Sequence, residues 1–362
     1  MKRFVLFGAW AAIMGLCACN KENTSVLPLM QNSEKSCALS VKLNEHLNVS
    51  TKVTGIRDEA EVAFQNVQIF VFRSVAEGSS EPEVLDACVS KSSAPFNDIQ
   101  LSCTIGRREV WVVVNADADY CADGSVRTKA DLLAKTSQLE SNKANQLLMI
   151  GNVVTDLLPG KMKVEVPVVR ACAKVVLQSI KNDMEAVAYR GKDYFKIKDI
   201  YLTNVPASID YTCSRKAANL SESQWYARRQ KETDARKSAL ILDTQSPKTL
   251  DYGSTYNNVH TFYSFPNECP PNEDELWSPR ATRLVIEAEF FDGTKYHTCY
   301  YPITLYNESS VTGLERNKQY FVNLTVKRPG SDHPDKKVEF ETISGSITVA
   351  KWDTGETYTE TI

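Results

Sequence analysis

The sequence predicts an all-β protein built of two tandem β-sandwiches with a few short helices. Short apolar or alternating runs rich in Val, Ile, Tyr and Phe recur through most of the chain. Turn residues such as Gly, Asn and Asp separate these runs at regular intervals, and helical periodicity is rare. The length of 362 residues is enough for two domains of ordinary size.

The N-terminus has the features of an export signal. Two basic residues precede an apolar stretch at residues 4–16, which is too short to span a bilayer as a helix. The motif LCAC at residues 16–19 is typical of a bacterial lipobox, with Cys19 as the lipid-carrying cysteine because the leucine then lies three positions before it. We predict a lipoprotein signal peptide at residues 1–18 and a lipid-anchored flexible linker at residues 19–36. An ordinary signal peptide is the alternative.

Residues 37–44 are predicted to form the first strand of the folded part. Leu39, Val41 and Leu43 lie on one side of this strand and alternate with small or polar residues. A polar linker follows and reaches a lone arginine, Arg57. The first strand is therefore separated from the rest of the chain by a stretch without strand character.

The rest of the first half is predicted as strands and one helix. The strands fall at residues 61–72, 84–89, 99–105, 109–115, 147–154 and 162–169. Thr128 followed by Asp131 forms a capping-box pattern, which predicts a helix that opens near residue 127.

The second half repeats this style. We place the domain boundary near Arg170, which gives an N-terminal sandwich at residues 37–170 and a C-terminal sandwich at residues 171–362. Further strands are predicted at residues 195–204, 284–290, 295–301 and 319–326. Asp292-Gly293 between two alternating runs predicts a hairpin. Residues 221–237 are expected to form a surface helix or a long loop.

The C-terminal stretch at about residues 337–362 ends in a strand-like tail. Short strands are predicted at residues 337–340 and 346–349, and Tyr358 and Ile362 are in phase in the tail. No later strand exists to pair with this tail. It is therefore either docked on a sheet edge or free to pair with another molecule.

Composition and motifs exclude several function classes. The formal net charge is −3 without a concentrated basic face, which speaks against nucleic acid as a partner. The sequence contains no nucleophile elbow, zinc-protease, P-loop or dinucleotide motif, so we expect no enzyme and no cofactor. Asp117, Asp119 and Asp123 miss the spacing of a calcium loop and are interpreted as a polar turn, with a weak loop-bound cation as the lesser alternative.

The cysteines predict no specific site. Ten are present, and two of these, Cys17 and Cys19, lie in the signal region. The other eight form no CxxC pair, so no metal site is expected. Export permits disulfides, but eight cysteines allow 105 pairings and their spacing selects none. Buried free thiols are the default interpretation.

Taken together, these features resemble the fimbrillins, the structural subunits of type V pili of Bacteroidales. The resemblance covers nearly the whole chain. It rests on the lipobox at Cys19 and on the order and spacing of several motifs, at residues 67–72 (VQIFVF), 112–116 (VVVNA), 170–175 (RACAKV), 301–303 (YPI), 313–320 (GLERNKQY) and 347–352 (ITVAKW).

The resemblance implies two transthyretin-like β-sandwiches and a strand-exchange mechanism. Fimbrillins are exported to the outer membrane as lipoproteins, and an arginine-specific surface protease removes the lipid together with the first strand. The vacated groove accepts the C-terminal strands of a neighbouring subunit, so that a head-to-tail fimbrium grows. On this basis Arg57 is the predicted processing site, with Lys52 as its competitor. The predicted plug residues are Leu39, Val41 and Leu43, and the predicted donor residues are Ile347, Val349, Tyr358 and Ile362.

The function that follows is a structural, adhesive pilus subunit whose partners are other pilus subunits and a receptor on a host or bacterial surface. A lipid-retaining anchor subunit or a tip subunit of the same pilus is one alternative. A glycan-binding surface lipoprotein is another, for which the tyrosines at residues 256–263 and Trp277 would supply an aromatic platform.

Overall fold

A computed structural model of the chain describes residues 36–45, 63–214, 220–269, 278, 280–305, 313–338, 342–352 and 357–361. The predicted all-β class is confirmed, and the helices of the described residues are short: α1 (Lys129–Leu133) and α2 (Ala235–Ser238), with 3-10 turns at Leu139–Ser141, Val187–Tyr189 and Glu222–Gln224. The strands of the first half are β1 (Ser36–Glu45), β2 (Val67–Arg73), β3 (Leu85–Lys91), β4 (Ile99–Thr104), β5 (Gly106–Val114), β6 (Thr136–Gln138), β7 (Met149–Leu157) and β8 (Gly160–Arg170).

The strands of the second half include several very short ones. They are β9 (Ala173–Asn182), β10 (Phe195–Thr203), β11 (Val205–Pro206), β12 (Ser208–Asp210), β13 (Trp225–Tyr226), β14 (Leu242–Thr249), β15 (Thr255–Tyr256), β16 (His260–Ser264), β17 (Asn267–Glu268), β18 (Arg283–Phe291), β19 (Tyr296–Thr304), β20 (Gly313–Leu314), β21 (Lys318–Val326), β22 (Ile343–Lys351) and β23 (Thr357–Thr361).

The first sandwich is a single sheet that turns over on itself. Its strand order is β3-β2-β5-β7-β8-β1-β4. The turnover occurs along β8, whose last two residues pair with β7 and whose preceding residues pair with β1. Two layers result, β4-β1-β8 and β3-β2-β5-β7. Their inward side chains meet in one apolar core, which takes Val41 and Val166 from the first layer and Ile69 and Val112 from the second.

Gly151 in β7 makes the turnover of β8 sterically feasible. A Cβ atom at this position would lie 1.7 Å from the carbonyl oxygen of Pro167 in β8. A larger residue would therefore collide with the backbone of β8 at the point where β8 leaves β7 and turns toward β1. The close approach of two backbones is a common reason for glycine inside a strand.

The second sandwich has two layers of its own. One layer has the order β15-β9-β21-β22-β23, with β16 also paired to β9, and the other has the order β14-β10-β18-β19. Leu177 and Val322 of the first layer and Ile200 and Ile286 of the second layer are fully buried in the shared core. The tail strand β23 lies outermost, antiparallel to β22.

The predicted hairpin at Asp292-Gly293 is confirmed between β18 and β19. The Asp292 carboxylate accepts hydrogen bonds from the backbone N–H groups of Thr294 (2.7 Å) and Lys295 (2.9 Å), and Gly293 adopts φ +98°. These local bonds turn the chain back, as an Asp-Gly pair favours.

The predicted capping box is confirmed at α1. Thr128 accepts a hydrogen bond from the backbone of Asp131, whose carboxylate in turn accepts one from the backbone of Thr128 at 2.8 Å. The stretch at residues 221–237 is neither a long helix nor a simple loop. It contains a 3-10 turn, the short strand β13 and the four-residue helix α2.

The two halves of the chain pack against each other. β6 of the first half pairs antiparallel with β12 of the second, and the rings of Tyr120 and Tyr211 meet edge to face at 6.0 Å. One apolar cluster contains Trp111 of the first half and Leu284 of the second. β8 ends at Arg170 and β9 begins three residues later. The domain boundary near residue 170 stays a prediction, because shared packing does not test whether each half folds alone.

Candidate functional site: the seat of the first strand

The first strand lies in the middle of a layer. β1 pairs parallel with β8 over nine residues, from Cys37 opposite Gly160 to Glu45 opposite Val168. On its other edge β1 pairs antiparallel with β4, in a register that sets Leu39 opposite Leu101. Both backbone edges of β1 are thus satisfied by strands that follow much later in the sequence. Removal of β1 would leave β8 and β4 each with an unpaired edge.

One face of β1 points into the first core. Cys37, Leu39, Val41 and Leu43 are 0%, 1%, 0% and 6% exposed. Burial of a leucine or valine side chain contributes about 1.5–3 kcal/mol. The predicted plug residues Leu39, Val41 and Leu43 therefore occupy the apolar trough between the two layers, although their role as a removable plug stays a prediction.

The opposite face of β1 is in contact with solvent. Ala38 and Lys42 are exposed, and Lys42 Nζ lies 3.0 Å from Glu165 of β8. Both partners of this ion pair are about half exposed, and such surface pairs contribute roughly 0–1 kcal/mol. The inner face and the two backbone ladders therefore provide most of the hold on β1.

The corner between β4 and β5 has its own polar anchor. The Asp86 carboxylate of β3 accepts hydrogen bonds from Thr104 N and Oγ1, both at 2.7 Å, and forms ion pairs with Arg73 (3.1 Å) and Arg108 (3.3 Å). Arg108 also donates to Thr104 Oγ1 and to the carbonyl of Ile105. None of these contacts involves β1. β4 is thus tied to the opposite layer by contacts that do not depend on the first strand.

The pKa of Asp86 reflects this anchor. Burial alone would raise it, but the hydrogen bonds from Thr104 and the charges of Arg108 and Arg73 outweigh burial and lower the pKa below its ordinary value. The ionised carboxylate is therefore the form that the folded corner favours.

The predicted donor residues lie at the far edge of the second sandwich. Ile347 and Val349 of β22 are each 1% exposed and belong to the core of their own sandwich. Tyr358 lies in β23, in register with Val349, and Ile362 lies outside the described residues. Of the two alternatives for the tail, the docked one is observed.

Trp352 anchors the chain between β22 and β23, a role that sequence reasoning missed. Its ring stacks on Tyr263 at a centroid distance of 6.2 Å, and the Arg170 guanidinium lies 4.4 Å from its centroid. The backbone N–H of Trp352 donates to the backbone carbonyl of Asn317 at 3.0 Å. The motif ITVAKW contained this tryptophan, but no local pattern indicates which residues stack on it.

Two predicted sites cannot be placed. Cys19, the predicted lipidation site, and Arg57, the predicted processing site, both lie outside the described residues. Arg57 falls between Glu45, the end of β1, and residue 63, where description of the chain resumes.

The acidic residues at 117–123 are engaged in local hydrogen bonds. Asp117 accepts from Ser137 Oγ (2.8 Å) and from the backbone of Gln138 (3.1 Å), and Asp119 accepts from the backbone of Ala122. Burial raises the pKa of Asp117 despite these bonds. Within the described residues, no three His, Cys, Asp or Glu side chains are grouped so that they could hold a metal ion.

The tyrosines at residues 256–263 do not form the exposed aromatic platform that is expected for a glycan binder, so that expectation is wrong for them. Tyr256 and Tyr263 are 5% and 4% exposed, because β15 and β16 pack them against the second core. Trp277 lies outside the described residues. In the described part of the chain, no helix has the length and apolar character needed to cross a membrane.

Comparisons with known proteins relate the chain to fimbrial subunits. No family model matches it. The chain is 24% identical over 196 residues to the minor fimbrium tip subunit MfA4 of Porphyromonas gingivalis, a match that covers 49% of this chain and 56% of that protein. The chain thus spans little more than half the length of this curated relative.

Solved structures show the same fold over most of the chain. A candidate cell adhesion protein of Bacteroides eggerthii has a TM-score of 0.63 and 20% identity, covering 89% of this chain and 97% of its own. A fimbrilin of Porphyromonas gingivalis has a TM-score of 0.58 and 15% identity, covering 89% of this chain and 99% of its own. At these identities the likeness concerns the fold. The resemblance to the fimbrillins that the sequence predicted is therefore confirmed, in fold by a fimbrilin and in sequence by a fimbrium tip subunit.

Proposed function

We propose that this protein is a structural subunit of a cell-surface pilus, which polymerises by exchange of its first strand for a strand of another copy. The observation that carries the proposal is the position of β1 between β8 and β4. The strand fills the centre of a layer, yet its chain connection to the rest of the fold runs through residues 46–62. A single cut there would convert an internal strand into a bound peptide.

The physical reason for exchange is the state that such a cut would create. Loss of β1 would leave two unpaired backbone edges and an apolar trough lined by side chains such as Ile69, Leu101 and Val166. An incoming strand satisfies both features at once, since strand addition supplies main-chain hydrogen bonds and side chains for the trough. Because groove and donor lie at different places on the molecule, the contact is head-to-tail and propagates as a fibre.

β23 is the segment that we expect to be donated first. Within the described residues it pairs with β22 alone, whereas β22 also pairs with β21 and supplies Ile347 and Val349 to its own core. Detachment of β23 therefore disrupts fewer contacts than detachment of β22. Trp352 anchors the chain directly after β22. We therefore expect the segment that detaches to begin after Trp352.

Export and processing complete the proposal. A lipid on Cys19 would hold the precursor at the outer membrane, and cleavage after Arg57 by an arginine-specific surface protease would release the subunit into the fimbrium. Within residues 46–62 Arg57 is the one arginine. The role is structural and adhesive rather than catalytic.

The test is treatment of the purified full-length protein with an arginine-specific protease in the presence of a thiol reductant. We expect cleavage after Arg57, a new N-terminus at Asp58 by mass spectrometry, and heat-labile, SDS-resistant ladders on a gel. Arg57→Ala should remain uncut and monomeric, while the matched control Lys52→Ala should behave as the unaltered protein. A stable uncut monomer from the unaltered protein would contradict the proposal.

A tip subunit is the second candidate, favoured by the sequence relative that is named as one. A subunit at the end of a fibre needs one contact surface, whereas a stalk subunit needs both groove and donor. Deletion of residues 357–361 distinguishes the two roles. If the deletion abolishes ladder formation, the chain donates its tail. If the truncated, processed chain still enters the fibre and only fibre length changes, the chain occupies an end.

A further inference from the structure

Two cysteines lie opposite each other on the paired strands β1 and β4. Cys37 of β1 and Cys103 of β4 are directly opposite in the antiparallel register. Both side chains point into the first core and are 0% and 5% exposed. The Cys103 thiol donates a hydrogen bond to the carbonyl oxygen of Cys37, with Sγ and oxygen 3.8 Å apart. Both cysteines are free thiols in the structure.

The register of this pair is compatible with the Cα separation that a disulfide requires. Opposite residues of antiparallel strands have Cα atoms about 4.5–5.5 Å apart. Disulfides span Cα distances of about 4.4–6.8 Å. Because the two side chains share one face of neighbouring strands, their Cβ atoms also point in the same direction.

A second thiol pair lies in the same sandwich but does not involve β1. Cys88 of β3 and Cys121 are 5% and 0% exposed and belong to the same apolar cluster. Both follow residue 62 in the chain, so a bond between them would not connect β1 to anything. This pair is the natural internal control.

We propose that Cys37 and Cys103 form a cross-strand disulfide that ties β1 covalently to β4. The consequence of this disulfide for release of β1 rests on the proposed function. Once the disulfide has formed, a cut between residues 46 and 62 would no longer free the first strand. The strand, with everything N-terminal to it, would stay attached until the disulfide is reduced. Release of β1 would then require both proteolysis and reduction.

The chemistry is thiol–disulfide exchange with a disulfide-containing oxidant. The thiolate of one cysteine attacks the oxidant's disulfide, forms a mixed disulfide and expels one thiolate. The second cysteine, after loss of its proton, attacks the mixed disulfide and expels the other thiolate. Overall the two protein thiols are oxidised to one disulfide, and the oxidant is reduced to two thiols.

The seated strand protects its own thiols. Burial raises the pKa of Cys103 to about 12, and burial also raises the pKa of Cys37. Few thiolates are therefore present once β1 is seated, and both side chains are buried. We expect the bond to form before β1 is fully packed, during folding in an oxidising compartment, and then to resist reduction while the strand stays in place.

The experiment begins with the full chain refolded in a mixture of oxidised and reduced glutathione. Free thiols are alkylated, the protein is digested completely without reductant, and peptides are mapped by mass spectrometry. We expect one linked peptide pair containing Cys37 and Cys103, which separates on addition of dithiothreitol. Cys37→Ala and Cys103→Ala should each abolish it, and Cys88→Ala should leave it unchanged. Alkylated Cys37 in the refolded unaltered protein would overturn the proposal.

A second measurement reads the consequence. The folded, oxidised chain is cut with the arginine-specific protease and run on a denaturing gel. The β1 fragment should remain with the rest of the chain without reductant and separate with it, whereas from Cys37→Ala it should separate in both lanes. Separation from the unaltered protein without reductant would overturn the tether. Failure of the protease to cut between residues 46 and 62 would instead count against the proposed function, since peptide mapping tests the disulfide without that cut.

Discussion

Replacement of Leu39 by alanine tests whether the inner face of β1 holds the strand in its seat. Leu39 is 1% exposed and lies opposite Leu101 of β4 and Met162 of β8. At this position β1 is backbone-paired to a strand on each of its edges, so the cavity left by the shorter side chain cannot readily collapse. Leu-to-Ala changes at such positions cost about 2–5 kcal/mol.

In the processed protein this energy becomes a loss of affinity. Once the linker is cut, β1 is a bound peptide, so the full cost appears in its dissociation constant. Because about 1.4 kcal/mol corresponds to a tenfold change, Leu39→Ala should weaken binding of the strand by roughly 30-fold to several thousand-fold. Most of this change should appear as faster dissociation.

The assay follows release of the first strand under reducing conditions, so that no disulfide contributes. The full-length protein carries a fluorescent label upstream of β1 and is cut with the arginine-specific protease. Dissociation of the labelled fragment after dilution is then followed by fluorescence anisotropy. The matched control is Lys42→Ala on the solvent face of the same strand, where loss of an exposed ion pair should cost less than about 1 kcal/mol.

The comparison of the two variants decides the result. If Leu39→Ala dissociates no faster than Lys42→Ala, burial of the inner face is not what holds the strand, and the account of β1 as a seated plug fails. Urea unfolding of the uncut variants gives an independent value, because the midpoint should fall in Leu39→Ala and hardly change in Lys42→Ala.

Three further predictions concern other parts of the molecule. Asp86→Asn should lower the free energy of unfolding by about 3–5 kcal/mol in urea titrations, since it leaves buried Arg108 without its charged partner. Trp352→Ala should cost roughly 1–3 kcal/mol, through loss of the stack on Tyr263 and of the cation–π contact with Arg170, and should speed hydrogen exchange in β22 and β23. Deletion of residues 357–361 should change the urea midpoint of the monomer little, because β23 is an outer strand, yet abolish ladder formation in a tail-donating subunit.

Asp86 also predicts a pH dependence with a definite sign. Its pKa is lower in the folded protein than the ordinary value of 3.8, so the unfolded chain binds more protons at this site. The stabilisation should therefore be complete above about pH 4 and be lost as the pH falls through the lowered folded pKa. Unfolding free energies measured from pH 6 down to acid should show this loss in the unaltered protein and a shallower one in Asp86→Asn.

A control variant and two refuting outcomes test whether these effects are specific to Asp86 and Trp352. Asp156→Asn alters an exposed carboxylate of the same sandwich and should leave the urea midpoint at neutral pH unchanged. Equal effects from Asp86→Asn and Asp156→Asn would refute the role of the β4 corner. Unaltered exchange in β22 and β23 of Trp352→Ala would refute the role of Trp352 as their anchor.

Local features of the fold could be predicted because they are encoded over a few residues. Alternation identified the inward face of β1, the pattern of Thr128 and Asp131 identified the start of α1, and Asp292-Gly293 identified the hairpin of β18 and β19. Each depends on side-chain periodicity or on hydrogen bonds between near neighbours. The motif at residues 347–352 indicated a resemblance, but not how Trp352 is packed.

The sequence by itself predicted most of the longer strands, although not β14 or β16, and it predicted the hairpin at Asp292-Gly293. It also established the absence of a recognisable catalytic motif and the position of the arginine in the linker. Only the tertiary structure decided that β1 lies between β8 and β4, that β23 docks on β22, and that Cys37 meets Cys103. The physical reason is distance along the chain. β1 and β8 are more than 100 residues apart, and a strand pattern specifies which face is buried but not which strand supplies the partner edge.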